Sequence, residues 1–187
     1  MGKKLLFLTI LSVMFVVFAK QVHAELVAGN SAIMYYTASS SKAYTESQEL
    51  YIKKKAIKSL LEKRNAPLSA HVDSFMQACQ QYDLDCYLLP AISGVESSFG
   101  QFIAPGSNNP FGWGRGLIPF ETFGDSIMTV GKGLRENYIN KGATSVEEIG
   151  SIYCEGNTWA GKVNYFMRLL QEEEKNLLFL SSNTVQL

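Results

Sequence analysis

Apolar residues in this chain recur mostly at helical spacing, and turn residues separate the periodic stretches. Leu50, Ile57, Leu60 and Leu61 stand between lysine-rich turns and predict a helix from Gln48 to Arg64, broken by Asn65-Ala66-Pro67. A second helix is predicted over Ser69–Gln81, with Ser69 as N-cap and Val72, Phe75, Met76 and Cys79 on one face. Asp85 is placed to cap a third, running through Leu88, Leu89, Ile92 and Val95 and ending near Ser97-Ser98-Phe99, with Gly100 as C-cap. Pro90 lies early enough in that helix to be tolerated or to kink it. A fourth spans Thr122–Asn140, with Ile127, Val130, Leu134 and Tyr138 as its buried stripe. Ser145 and Glu148 form a capping-box pair for a short helix ending near Tyr153. Asn157 or Thr158 caps the last, Trp159–Leu177, whose apolar face carries Val163, Phe166, Leu169 and Leu170. The charge run Glu172–Lys175 reads as a solvated face.

One stretch breaks the pattern. Residues 101–120 hold Pro105-Gly106-Ser107-Asn108-Asn109-Pro110 and Gly112-Trp113-Gly114-Arg115-Gly116, a composition that no regular helix survives. A structureless segment of this length inside a compact domain is usually functional or disordered. Its aromatic residues, Phe102, Phe111, Trp113 and Phe120, argue against disorder. The fold expected is therefore an all-α domain with one long Gly/Asn-rich loop.

The first residues follow another logic. Lys3 and Lys4 precede an apolar run from Leu5 to Ala19, and Val22-His23-Ala24 offers small or apolar residues for cleavage. This is a secretory signal pattern with cleavage expected after Ala24. An uncleaved anchor is the alternative, but a spanning helix needs about 20 apolar residues and Lys20 ends this run early. The organisation expected is a signal peptide over 1–24, an N-terminal arm and helical extension over 25–66, a compact domain over 67–178 and a tail over 179–187. The protein is expected to be secreted or periplasmic, and to meet a membrane only if the signal is retained.

Composition narrows the classes. Apolar residues make up 47% of the 187, enough for a real core, and the formal net charge is zero. No basic stripe points to nucleic acid. Three cysteines, Cys79, Cys86 and Cys154, leave an odd thiol within a monomer. Cys79 and Cys86 would lie about 10 Å apart in one continuous helix, too far for a bridge unless the helix ends at Tyr82–Asp85. The reading preferred here is that all three are small core residues. No Cys/His cluster has ligand spacing, so neither metal nor cofactor is expected.

Glu96 is the candidate for chemistry. It ends an apolar helix, immediately precedes the loop, and can be surrounded by Leu89, Ile92, Val95 and Phe99. Partial burial raises a carboxyl pKa, and a raised pKa lets the group protonate a glycosidic oxygen near neutral pH. An ordinary helix-end Glu bonded to Ser97 or Ser98 is the plainer alternative.

The segment Glu96-Ser97-Ser98-Phe99-Gly100, followed by Asn108-Asn109-Pro110-Phe111-Gly112-Trp113-Gly114 and then Tyr153-Cys154-Glu155-Gly156-Asn157-Thr158-Trp159-Ala160-Gly161-Lys162, resembles the bacterial endo-β-N-acetylglucosaminidase (glucosaminidase) family of the lysozyme-like superfamily. Such domains occur in autolysins and in the flagellar peptidoglycan hydrolase. The resemblance covers about Pro67 to Leu170, with three motifs in the same order. It implies a helical lysozyme-like fold with a long substrate groove, and hydrolysis of the β-1,4 bond after N-acetylglucosamine in peptidoglycan glycan strands. Glu96 falls on the family's acid. Tyr153 falls on a tyrosine that positions water or stabilises the developing oxocarbenium ion, and a core role for it is equally open. Glu96-Ser97-Ser98-Phe99 alone also resembles soluble lytic transglycosylases.

Sugar rings present apolar faces and hydroxyl edges. Trp113, Phe111, Phe102 and Trp159 are candidates to stack the faces, and Ser98, Asn108 and Asn109 to bond the edges; Trp159, at a helix start, reads more readily as a core residue. Arg115 reads as a solvated loop cation or a partner for a peptide-stem carboxylate. The chain departs from the family between the Phe-Gly motif and the next helix, where members often carry a second carboxylate and this sequence has none. Glu121 and Glu155 are the candidates to replace it. Two-carboxylate hydrolysis needs spacings of roughly 5 Å or 6.5–9.5 Å. Without a second acid, assistance by the sugar's N-acetyl group or a lytic transglycosylase route, with Glu96 as acid and then base, takes its place. A non-catalytic wall-binding module of the same fold is the reading from another class. The chain is expected to act as a monomer.

Overall fold

A computed structural model describes residues 44–153 and 158–184. The expected signal peptide, the arm over 25–43, and Cys154, Glu155 and Asn157 lie outside the described residues. The chain divides into two compact units, Met1–Gln48 and Glu49–Leu187. In the first, residues 44–48 are helical. The second holds the site.

The described residues are all-α, with no strand among them. Residues 49–63 of the second unit are helical (α1). A 3-10 turn, Pro67–His71, leads into α2, Val72–Gln81. Then come α3, Leu88–Ser97, α4, Phe123–Asn137, α5, Val146–Tyr153, and α6, Trp159–Thr184. The helix α3 packs chiefly on α6, α2 on α4, and α5 on α6. Ile57, Leu61, Phe75, Leu89, Ile92, Ile127, Val130, Leu134, Val163 and Leu170 meet in one core.

Several local expectations are corrected. The helix read as an extension before residue 67 belongs to the core, where Ala56, Ile57 and Leu61 are buried. Ser69 is not an N-cap: Pro67 stands in the first turn of the 3-10 segment, where its fixed φ suits a start, and α2 begins after His71 with no side-chain cap. The run Glu172–Lys175 is only partly solvated. Glu173 binds Ser59 and Lys63, and Tyr87 donates to Glu174 at 2.9 Å, so this face ties α6 to α1 and α3. The helix α6 also continues to Thr184, because no glycine or proline follows Leu177 to stop it; the frayed tail expected from 179 is helical over 179–184.

Cys79 and Cys86 form a disulfide, with Cα atoms 4.9 Å apart. The preferred reading of three unpaired core cysteines is therefore wrong for these two. The helix does end between them: Tyr82 closes α2, Asp83 adopts a left-handed φ of 49°, and Leu84 N–H donates to Cys79 O. The chain folds back and brings Cys86 within bonding reach.

Candidate active site

The site forms where α3 ends. Ser98, not Gly100, caps the helix; its N–H donates to Gly94 O and that of Phe99 to Ser93 O. Ser98, Phe99 and Gly100 follow one another in left-handed backbone, with φ of 50°, 61° and 85°. Two side-chain residues in this region are costly, and the surroundings hold them there. Phe99 is buried edge-on against Phe166, its ring filling the space that a Cβ on Gly94 would need. Ser97 Oγ donates to Pro110 O at 2.8 Å and accepts from Gly100 N–H at 2.9 Å. The helix end, the reversal and the following loop are thus one hydrogen-bonded piece, with Glu96 on its last helical turn.

Asn109 organises the loop. It is 5% exposed. Its Oδ1 accepts from Trp113 N–H at 2.9 Å, and its Nδ2 donates to Trp113 O at 2.9 Å and Ile118 O at 3.0 Å. Asn108 Nδ2 donates to Phe120 O and Glu121 O. Both amides therefore brace backbone. The expected contact with sugar edges is reassigned for Asn109, whose polar atoms are buried and engaged, and Asn108 has both amide donors committed.

A groove of about 420 Å³ opens beside Glu96. Phe111, Gly112, Trp113, Gly114, Arg115, Tyr138 and Tyr153 line it together with Glu96. The Trp113 ring lies so close to α4 that a Cβ on Gly133 would stand 2.6 Å from it. Tyr153 sits at the centre of an aromatic cluster, stacked on Trp159 at 4.9 Å and about 6 Å from Trp113 and Tyr138. Its hydroxyl donates to Phe111 O at 2.7 Å.

Glu96 is open to solvent on its groove side, yet its carboxyl is held. Trp159 Nε1–H donates to Glu96 Oε1 at 2.7 Å. Oε2 faces Gly112, where a Cβ would stand 3.7 Å away. Crowding by neighbouring atoms pushes the Glu96 pKa above the usual carboxylate range, and the Trp159 bond and the Lys162 charge oppose part of that rise. An indole N–H can only donate. Oε1 therefore stays the acceptor, and in the protonated acid the hydrogen belongs on Oε2, toward the groove.

The residues named from sequence are distributed unevenly. Glu96, Phe111, Trp113 and Tyr153 line the groove, but Phe111 is 1% exposed and supplies a carbonyl and a packed ring rather than a stacking face. Trp159 is 4% exposed, the core position its place at a helix start suggests rather than a stacking face for substrate, and it touches Glu96 from behind. Ser98 is half-buried in the chain reversal, and Phe102 projects from the surface; neither they nor Glu121 line the groove. Tyr138 and Arg115 do. Tyr138 was legible only as the end of an apolar stripe, and Arg115 as a solvated loop cation or a partner for a peptide-stem carboxylate. Among the described residues, no group of three or more His, Cys, Asp or Glu could hold a metal ion.

No protein-family model and no curated protein matches this chain.

Proposed function

We propose that the chain is an exported peptidoglycan hydrolase of lysozyme-like fold, cutting the β-1,4 bond after N-acetylglucosamine with Glu96 as general acid. The observation that carries this reading is the Glu96 carboxyl at the side of an open groove, fixed on one oxygen by Trp159 and raised in pKa by desolvation. A raised pKa lets the group hold its proton to higher pH than an ordinary carboxylate does. Oε2 then donates to the glycosidic oxygen as the bond to the anomeric carbon breaks. Trp113 offers a ring to a sugar face, and Tyr153, held by Phe111 O, flanks the developing positive charge with its π-face. The signal-like first 24 residues and the Cys79–Cys86 disulfide, of a kind that persists in oxidising compartments, both support export.

One observation favours a second reading of the same acid. Among the described residues lining the groove, Glu96 is the one carboxylate. A single acid suits lytic transglycosylation, in which Glu96 donates its proton to the leaving sugar and then takes one from the muramyl 6-hydroxyl as it closes on the anomeric carbon. It equally suits hydrolysis assisted by the substrate's N-acetyl group.

Digestion of purified sacculi followed by mass spectrometry separates these readings. Reducing N-acetylglucosamine ends support the glucosaminidase, and anhydromuramic ends support the transglycosylase. Binding to sacculi with no glycan released at any pH would leave a non-catalytic wall-binding module.

A further inference from the structure

Arg115 lies in the run Gly112-Trp113-Gly114-Arg115-Gly116. Gly116 N–H donates to Gly112 O at 2.8 Å and Leu117 N–H to Gly114 O at 3.2 Å, which closes the run into a tight coil at the groove rim. Gly112, Gly114, Arg115 and Gly116 all have φ between 60° and 75°. Left-handed backbone of this kind is free for glycine and strained for a residue with a side chain. A glycine at position 115 would satisfy the coil at lower conformational cost, so the turn itself does not account for an arginine. Non-glycine residues held in such conformations cluster at ligand-binding and active sites.

The guanidinium is also uncommitted. Among the described residues no hydrogen bond or ion pair engages it, and it is exposed. The cation that acts on Glu96 is Lys162, so Arg115 is not spent on holding the acid ionised. It is the one cation among the described residues lining the groove. A planar fork of five donors with no partner fits a carboxylate.

We propose that Arg115 is a carboxylate-binding subsite that makes this groove select glycans bearing acidic substituents, the lactyl or peptide-stem carboxylates of a wall strand, over neutral chito-oligosaccharides. This rests on the glycan-cleaving reading above and names its substrate class. A neutral chitin chain offers the same ring faces to Trp113 but nothing to Arg115. The preference therefore resides in one ion pair at an open rim and weakens with salt.

The test uses binding, so that it does not depend on turnover. In the full chain carrying Glu96→Gln, affinity is measured by calorimetry for a muramyl-peptide-containing tetrasaccharide and for chitotetraose, with and without Arg115→Gln and Arg115→Lys. The acidic glycan is expected to bind more tightly, Arg115→Gln to weaken it about fivefold while leaving chitotetraose unchanged, and the difference to shrink in high salt. Arg115→Lys should retain part of the preference. Equal weakening for both ligands, or none for the acidic one, overturns the assignment. Failure of the Glu96 reading shows separately, as unchanged sacculus digestion by Glu96→Gln. A wild-type protein that binds neither glycan overturns both.

Discussion

Trp159 Nε1 lies 2.7 Å from Glu96 Oε1, joining the start of α6 to the last turn of α3 across 63 positions of sequence. The donor is almost wholly buried and the acceptor opens on the groove, so one carboxyl oxygen is fixed from behind while the other is left for substrate. The proton-donating role proposed for Glu96 depends on that asymmetry.

Replacing Trp159 by Phe removes the donor and keeps most of the apolar volume. The indole bond lowers the Glu96 pKa, so its loss lets that pKa rise further. Activity needs the protonated acid, and its alkaline limb follows that pKa. We expect the limb of kcat/KM to move to higher pH, with kcat about tenfold lower because the carboxyl is no longer oriented. Matched pH profiles check this, and an unmoved limb would mean that the bond has no part in tuning the acid.

Gly133 bears on the groove from α4. Alanine would gain up to about 1 kcal/mol of helix propensity, but its Cβ would meet the Trp113 ring at 2.6 Å, and overpacking costs about 1–3 kcal/mol. The cheaper response is for the half-buried ring to swing into the open groove. We expect Gly133→Ala to raise KM severalfold and shift tryptophan fluorescence while melting changes little. Unchanged KM and emission would show that the ring is not fixed by this contact.

Asn109 makes three hydrogen bonds to loop backbone. Alanine would take the partner from Trp113 N–H and from the partly buried Trp113 and Ile118 carbonyls, at about 1–3 kcal/mol each where water cannot reach. Urea denaturation of Asn109→Ala should show a loss of at least about 2 kcal/mol, with activity falling as the Trp113 wall loosens. Full stability would mean that the loop is held by other contacts.

The Cys79–Cys86 bridge closes a short loop between α2 and α3. For a loop of this length the chain-entropy account gives roughly 2–3 kcal/mol. The double replacement by serine should therefore melt several degrees lower than the oxidised protein, while reducing agent leaves the double variant unaffected. A thiol assay showing both cysteines free in the oxidised protein would contradict the pairing.

Much of the helical frame could be read from the chain. Ile127, Val130 and Leu134 repeat at helical spacing and are fully buried in α4, and the Ser145–Glu148 capping box forms as its residue types suggest. These features are local, so a window of a few residues contains their cause. The corrections came from elsewhere. The Cys79–Cys86 bond depends on where a helix stops, which Asp83 settles by turning left-handed. The charge at Glu173 and Glu174 is solvated or paired according to what packs beside α6. Trp159 and Glu96 become partners only when α6 lies on α3, and no periodicity records that contact. Asn109 stood inside a motif that suggested ligand binding, but its amide is matched to backbone groups four and nine residues on, a role invisible until the loop closes.

The central claim is tested most directly by Glu96→Gln, which keeps the side chain's shape and an oxygen to accept from Trp159 but cannot donate a carboxylic proton. Reducing ends released from sacculi should fall by a factor on the order of 10²–10⁴ with sacculus binding unchanged. Stability gives an internal control. The folded state raises the Glu96 pKa, so it holds that proton more tightly than the unfolded chain, and wild-type stability falls as pH rises through the folded pKa. Glu96→Gln lacks that penalty, and its melting temperature should match wild type in acid and equal or exceed it at neutral pH. Undiminished glycan cleavage by a folded Glu96→Gln protein would contradict the account.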